Sequence, residues 1–136
     1  MDIKSQSIVA VDNEVRTLDR IRTILECTHT VLATADAKRA LAWLQNDTTV
    51  AAVLVGHDIN GGRALGLLDA ARRVRPEARR ILIANYSDLA NFVEGLHTGA
   101  IQRTISKPID ATELMGLVRV RPVVAKSGTS ANIAVA

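Results

Sequence analysis

Five short apolar runs alternate with five segments of helical spacing, and this alternation constrains the fold more than any other feature of the chain. The runs are residues 7–11, 30–34, 50–55, 80–84 and 101–105. Between them, apolar residues recur at every third or fourth position. The stripes are Val15, Leu18, Ile21 and Leu25; Ala37, Ala40, Leu41 and Leu44; Ala64, Leu67, Leu68 and Ala71; Leu89, Phe92, Val93 and Leu96; and Ala111, Leu114, Leu117 and Val118. Such spacing marks the buried face of a helix, whereas a short continuous run marks a strand covered on both faces. Strict alternation joins parallel strands through right-handed crossovers, so an α/β sandwich with one parallel sheet is expected. Asp36, Ser87 or Asp88, and Asp110 with Glu113 stand where the second, fourth and fifth helices should be capped, and Gly99 where the fourth should stop.

At 136 residues, one core is expected, over residues 5–121, with 122–136 as a flexible tail or linker where apolar periodicity gives way to Val, Ala, Ser, Gly and Thr. One Trp, one Tyr and one Phe leave no stacking platform for nucleic-acid bases. The net charge of +3 is scattered, which argues against direct nucleic-acid contact. Arg72, Arg73, Arg75, Arg79 and Arg80 read as a solvated rim. A single cysteine, Cys27, excludes an internal disulfide and a thiolate metal cluster, fits a reducing cytoplasm, and reads as a small buried hydrophobe. No apolar run approaches the length of a membrane span.

In an open parallel sheet, ligands bind at the carboxyl ends of the strands. Those ends carry Asp12-Asn13-Glu14, Gly56-His57-Asp58-Ile59-Asn60, Ala84-Asn85-Tyr86 and Ser106-Lys107-Pro108. Carboxylates and amides offer oxygen ligands to a hard cation, and a lysine offers an ammonium to phosphoryl oxygens. His57 beside Asp58 lacks an accompanying nucleophile, and Gly61-Gly62 lacks the flanking pattern of a phosphate-cradling loop.

These turns resemble those of response-regulator receiver domains of the CheY-like family. Val11-Asp12-Asn13-Glu14 is similar to the family's acidic turn, Ser106-Lys107-Pro108 to its Lys-Pro turn, and Ile81 through Asp88 to its fourth strand and following loop. The stretch from Gly99 through Asp110 resembles receivers joined to transcription activators or to cyclic-di-GMP phosphodiesterases. The resemblance implies a flavodoxin-like (βα)5 sandwich with strand order 2-1-3-4-5. It further implies Mg²⁺-dependent transfer of a phosphoryl group from a histidine kinase to an aspartate, relayed to an output domain or to a second copy in a homodimer.

Carried over residue by residue, the resemblance implies a degenerate site, that of a pseudo-receiver. Asn13 is an amide where the family has its second acidic metal ligand. The acceptor position falls on Gly56, Ala84 replaces a hydroxyl residue, and Thr104 replaces the switch aromatic; Lys107 is retained. A Mg²⁺ site of Asp12, Asn13 and Asp58 would be weakened by the lost charge. Without an acceptor, Lys107 is expected to pair with Asp12, which could equally cap the first helix. The expected function is a non-enzymatic signalling module of a two-component phosphorelay, acting by protein contact through its fourth helix, fifth strand and fifth helix, with Asn91, Glu94, Gln102, Arg103 and Thr104 on that face. Two alternatives stay open: an active phosphoacceptor at Asp58, reached by remodelling residues 59–63 and capable at most of self-phosphorylation, and a small-ligand-binding domain using the altered pocket.

Overall fold

In a computed structural model, which describes residues 6–119, five parallel strands form one sheet in the order β2-β1-β3-β4-β5. The strands are β1 (Ser7–Val11), β2 (Thr30–Thr34), β3 (Val50–Gly56), β4 (Arg79–Ile83) and β5 (Arg103–Ile105). Helices α1 (Val15–Leu25), α2 (Ala37–Asn46), α3 (Ala64–Val74), α4 (Val93–Thr98) and α5 (Ala111–Arg119) connect or follow them, and a 3-10 helix, Tyr86–Phe92, precedes α4. This is the flavodoxin-like (βα)5 sandwich. The expected tail, 122–136, and the domain-boundary residues 5, 120 and 121 lie outside the described residues.

Successive strand residues point to opposite faces, which divides the core in two. Val9, Val11, Val53, Val55 and Leu82 pack beneath α2 and α3, against Ala40, Leu44, Leu67, Leu68 and Ala71. Ile8, Ala10, Leu54, Ile81 and Ile83 pack beneath α1 and α5, against Leu18, Ile21, Leu25, Leu114 and Val118. With both faces covered, β1 is buried from end to end, and its carboxyl end delivers Asp12 into the crevice above the sheet.

Two caps form as expected: Asp36 Oδ1 accepts from Lys38 N at 3.1 Å, and Asp110 Oδ2 accepts from Glu113 N at 2.8 Å. Gly99 ends α4 at φ 90°, a left-handed conformation suited to glycine.

The fourth helical segment departs from expectation. Its stripe would bury Val93 and Leu96, yet these are 60% and 41% exposed. Gly95 lies inward instead, so close to the core that a β-carbon there would stand 2.6 Å from Leu65 Cδ1 and from Ile101 Cδ1. The close backbone approach selects the inward face, and periodicity alone picks the wrong one. Neither Ser87 nor Asp88 caps α4, because the chain from Tyr86 forms the 3-10 helix and Phe92 takes the N-cap position. Val15 is likewise 69% exposed; Thr17 takes the inward place, its hydroxyl donating to Glu14 Oε1 at 2.7 Å. Cys27 is exposed in the turn after α1 and is not a core residue.

Candidate functional site

Asp12 leaves β1 into the turn before α1 and is 1% exposed. Its Oδ1 accepts from Glu14 N at 2.9 Å, which turns the chain into the helix, and from Lys107 Nζ at 3.3 Å. Oδ2 lies 3.2 Å from the same ammonium but accepts no hydrogen bond. Lys107 reaches down from the β5–α5 turn, where its bond to Pro108 is cis, and also donates to Glu14 Oε1 at 3.0 Å. Asp12 therefore serves both the turn and the ion pair. Glu14, not Asp12, holds the N-cap position of α1, without a side-chain cap bond.

The electrostatics follow from these contacts. Hydrogen bonds from Thr17 and then Lys107 hold the Glu14 carboxyl below its ordinary range. Burial works against the Lys107 charge, but the hydrogen bonds and charges of Glu14 and Asp12 outweigh it and hold the ammonium above its ordinary range. The second carboxylate on Lys107 was not legible in the sequence; the signal was its place two residues after Asp12, at the N-cap of a helix.

Gly56 ends β3 next to this pair. A β-carbon on it would stand 2.3 Å from Asp12 Oδ2 and 2.7 Å from Asp12 Cγ. The Asp12 carboxylate thus fills the space that an acceptor side chain at this position would need. Asp58, two residues on, is exposed on the rim. Its Oδ2 accepts from Asn13 Nδ2 at 3.0 Å and its carbonyl from Asn13 N at 3.3 Å.

The loop that would have to be rebuilt to move Asp58 inward is fastened. Asn60 forms a parallel bridge with Asp36, through Asn60 N to Ala35 O at 2.9 Å and Ala37 N to Asn60 O at 2.7 Å. Gly61 follows at φ 77°, and a β-carbon there would meet Asp36 Oδ1 at 2.1 Å.

Ala84 is buried past the end of β4, its amide donating to Ile105 O at 3.0 Å; its methyl offers nothing to a phosphoryl oxygen. Thr104 is half-buried on β5. Of the oxygens assigned to Mg²⁺, Asp12 Oδ1 accepts from Lys107 and Asp58 Oδ2 accepts from the Asn13 amide. Among the described residues no group of three or more His, Cys, Asp or Glu is placed to hold a metal; the candidate set of Asp12, Asn13 and Asp58 has two carboxylates and an amide. His57 stands outside this cluster, its Nε2 3.7 Å from Asp88 Oδ2.

Of the residues expected on the contact face, Asn91, Glu94, Gln102 and Arg103 are exposed. Gln102 also serves the fold, its Oε1 accepting from Arg80 N at 2.8 Å. The arginine rim needs correction at Arg80, which is buried; Arg72 and Arg73 are solvated and pair with Asp69, and Arg75 donates to the carbonyls of Gln45 and Asp47.

No family model matches the sequence. The chain is 29% identical over 119 residues, 88% of its length, to the hydrogenase transcriptional regulatory protein HoxA of Cupriavidus necator. It spans 24% of that relative and 23% of the HoxA of Bradyrhizobium diazoefficiens. Among solved structures, the signal receiver domain of an HD domain-containing protein from Pseudomonas fluorescens Pf-5 superposes with a TM-score of 0.75 at 28% identity, covering 84% of each chain. A CheY-like response regulator receiver domain protein from Methanospirillum hungatei JF-1 does so with a TM-score of 0.72 at 28% identity, over 82% of this chain and 88% of that one. In fold and sequence the chain is similar to CheY-like receiver domains. No helix among the described residues is long and apolar enough to cross a membrane.

Proposed function

We propose that this chain is a pseudo-receiver: a cytoplasmic, non-enzymatic signalling module of a two-component response regulator that acts by protein contact without being phosphorylated. The observation that carries this reading is the Gly56–Asp12 approach. The acceptor position has no side chain, and the space beside it holds a carboxylate already paired with Lys107. That lysine, the group otherwise available to a phosphoryl oxygen, is already held by Asp12 and Glu14. Ala84 and Thr104 remove the hydroxyl and the ring that would report a bound phosphoryl group. The partners are then proteins, a histidine kinase, an output domain or a second copy; the transcriptional relatives favour an output domain that acts on transcription.

Incubation with acetyl phosphate and Mg²⁺ followed by intact mass measurement tests the reading. The expected result is an unmodified chain. An adduct of about 80 Da, the mass of one phosphoryl group, that disappears in Asp58→Asn would establish the rim aspartate as an acceptor and overturn the proposal.

A further inference from the structure

Arg80 is a strand residue of β4 that is only 6% exposed, yet its guanidinium is satisfied by backbone carbonyls alone. Nε donates to Ala100 O at 3.2 Å and Nη2 to Gly99 O at 3.1 Å, both in the connector between α4 and β5. Nη1 donates to Pro76 O and Ala78 O, each at 3.3 Å, in the turn between α3 and β4. Its backbone is latched to the same connector, Arg80 N to Gln102 Oε1 at 2.8 Å and Gln102 N to Arg80 O at 3.0 Å. Arg72, on α3, adds a bond from Nη1 to Thr98 O at 2.7 Å. Thr98 supplies one of the carbonyls that the end of a helix leaves without partners, where the dipole favours a cation, and Gly99 and Ala100 follow it in the connector. Two guanidiniums collect all three.

The other end of α4 is held more loosely, by Leu89 and Phe92 packed partly buried against the core. It continues from the 3-10 helix Tyr86–Phe92, none of whose residues is buried. With Ala84 and Thr104 at the positions from which a phosphoryl group would otherwise act on this region, static contacts have to decide where α4 lies.

We propose that Arg80, seconded by Arg72, is the positioning residue of the α4–β5 contact face: its planar fork pins the carboxyl end of α4 and the connector to β5 against the turn after α3. The use of that face for contact rests on the function proposed above; the clamp itself does not, and it sits at the opposite end of the strands from Asp12. A lysine could not replace it, because one ammonium cannot serve connector and turn in the same plane.

Amide hydrogen exchange on the whole chain provides the test. The probes are Ile101 N, which donates to Gly95 O at 3.0 Å, and Gln102 N. In Arg80→Met these two amides should exchange about tenfold or more faster relative to the amides of β1 and β3. Replacing a buried charge with an apolar chain need not lower overall stability, so the connector can loosen whichever way the melting temperature moves. Unchanged relative exchange at Ile101 and Gln102, or an equal rise throughout the sheet, overturns the proposal. Should Arg80→Met fail to fold, Arg72→Gln removes the bond to Thr98 O from a partly exposed side chain, and faster exchange at Ile101 is again the required result. Phosphorylation is read by mass at the other end of the sheet, so either inference can fail without the other.

Discussion

Asp12 stands where a side chain on Gly56 would have to go. The separation of 2.3 Å between its Oδ2 and a β-carbon on Gly56 is well inside van der Waals contact, and Asp12 cannot step aside without leaving Glu14 N and Lys107. Gly56→Ala should therefore lower stability by about 1–3 kcal/mol, the usual range for overpacking a filled interior. Asp58→Asn, on the rim, should stay within about 0.5 kcal/mol of the wild type. Urea denaturation of both variants checks the contrast; equal stability would mean that the two carboxylates are misplaced here.

Removing the ammonium should cost more than removing a surface charge. Lys107→Met leaves the buried Asp12 carboxylate without its cation, at a cost of about 3 kcal/mol, the scale for breaking a buried pair. The folded-state pKa of Lys107 is raised, so the pair's contribution is complete below the unfolded lysine value of about 10.4 and disappears as pH climbs through the folded value. Wild type and variant should converge in stability in strong alkali and diverge at neutrality. A gap that stays constant across that range would show that packing, not charge, is lost.

His29 is buried, its Nδ1 2.9 Å from Thr28 Oγ1. Burial first, and the Arg119 charge second, hold its pKa below the ordinary value. The unfolded chain then binds a proton more readily than the folded one, so this contribution to stability is present above about pH 6.5 and is lost as pH falls through the folded value. Glu14, Asp47 and Asp69, whose pKa values are also lowered, act in the same direction but only below about pH 4. His29→Gln should flatten melting temperature against pH between these two windows while leaving the more acidic slope intact. A variant whose profile parallels the wild type throughout would assign the slope to other groups.

Two helical glycines should respond oppositely to the same change. A β-carbon on Gly66 meets nothing within 4 Å, so Gly66→Ala should stabilise α3 by about 0.5–1 kcal/mol through backbone entropy. On Gly95 the new methyl meets Leu65 and Ile101, and overpacking should outweigh the propensity gain by about 1 kcal/mol. Paired thermal melts decide it; a Gly95→Ala protein more stable than wild type would show that α4 can lift away from Leu65 at no cost.

The sheet was legible because burial on both faces writes itself as unbroken apolar runs, and β1 to β4 lie within a residue of where those runs place them. The fifth run begins two residues before β5, since Ile101 packs into the core from the connector without joining the ladder. Close backbone approaches were not legible: Gly95 carries no side chain to announce that it faces inward, and it turns Val93 and Leu96 outward. Arg80 was misread for a related reason, since an arginine in a basic cluster looks solvated until the carbonyls around it are known. At the site, the spare space at Gly56 could be read from residue type. That Asp12 fills it, that Glu14 shares the lysine, and that Asn60 bridges to Asp36 depend on elements brought together across the fold.

The ion pairs of Lys107 join residues 95 and 93 positions apart in the chain, and Arg20 Nε closes the same seam by donating to Ile109 O at 3.1 Å. During synthesis the Asp12 carboxylate therefore emerges long before its counter-charge. Until the last strand and turn have left the ribosome, β1 cannot settle into the centre of the sheet without burying a bare anion, and this delays closure of the domain until nearly all of it has been made.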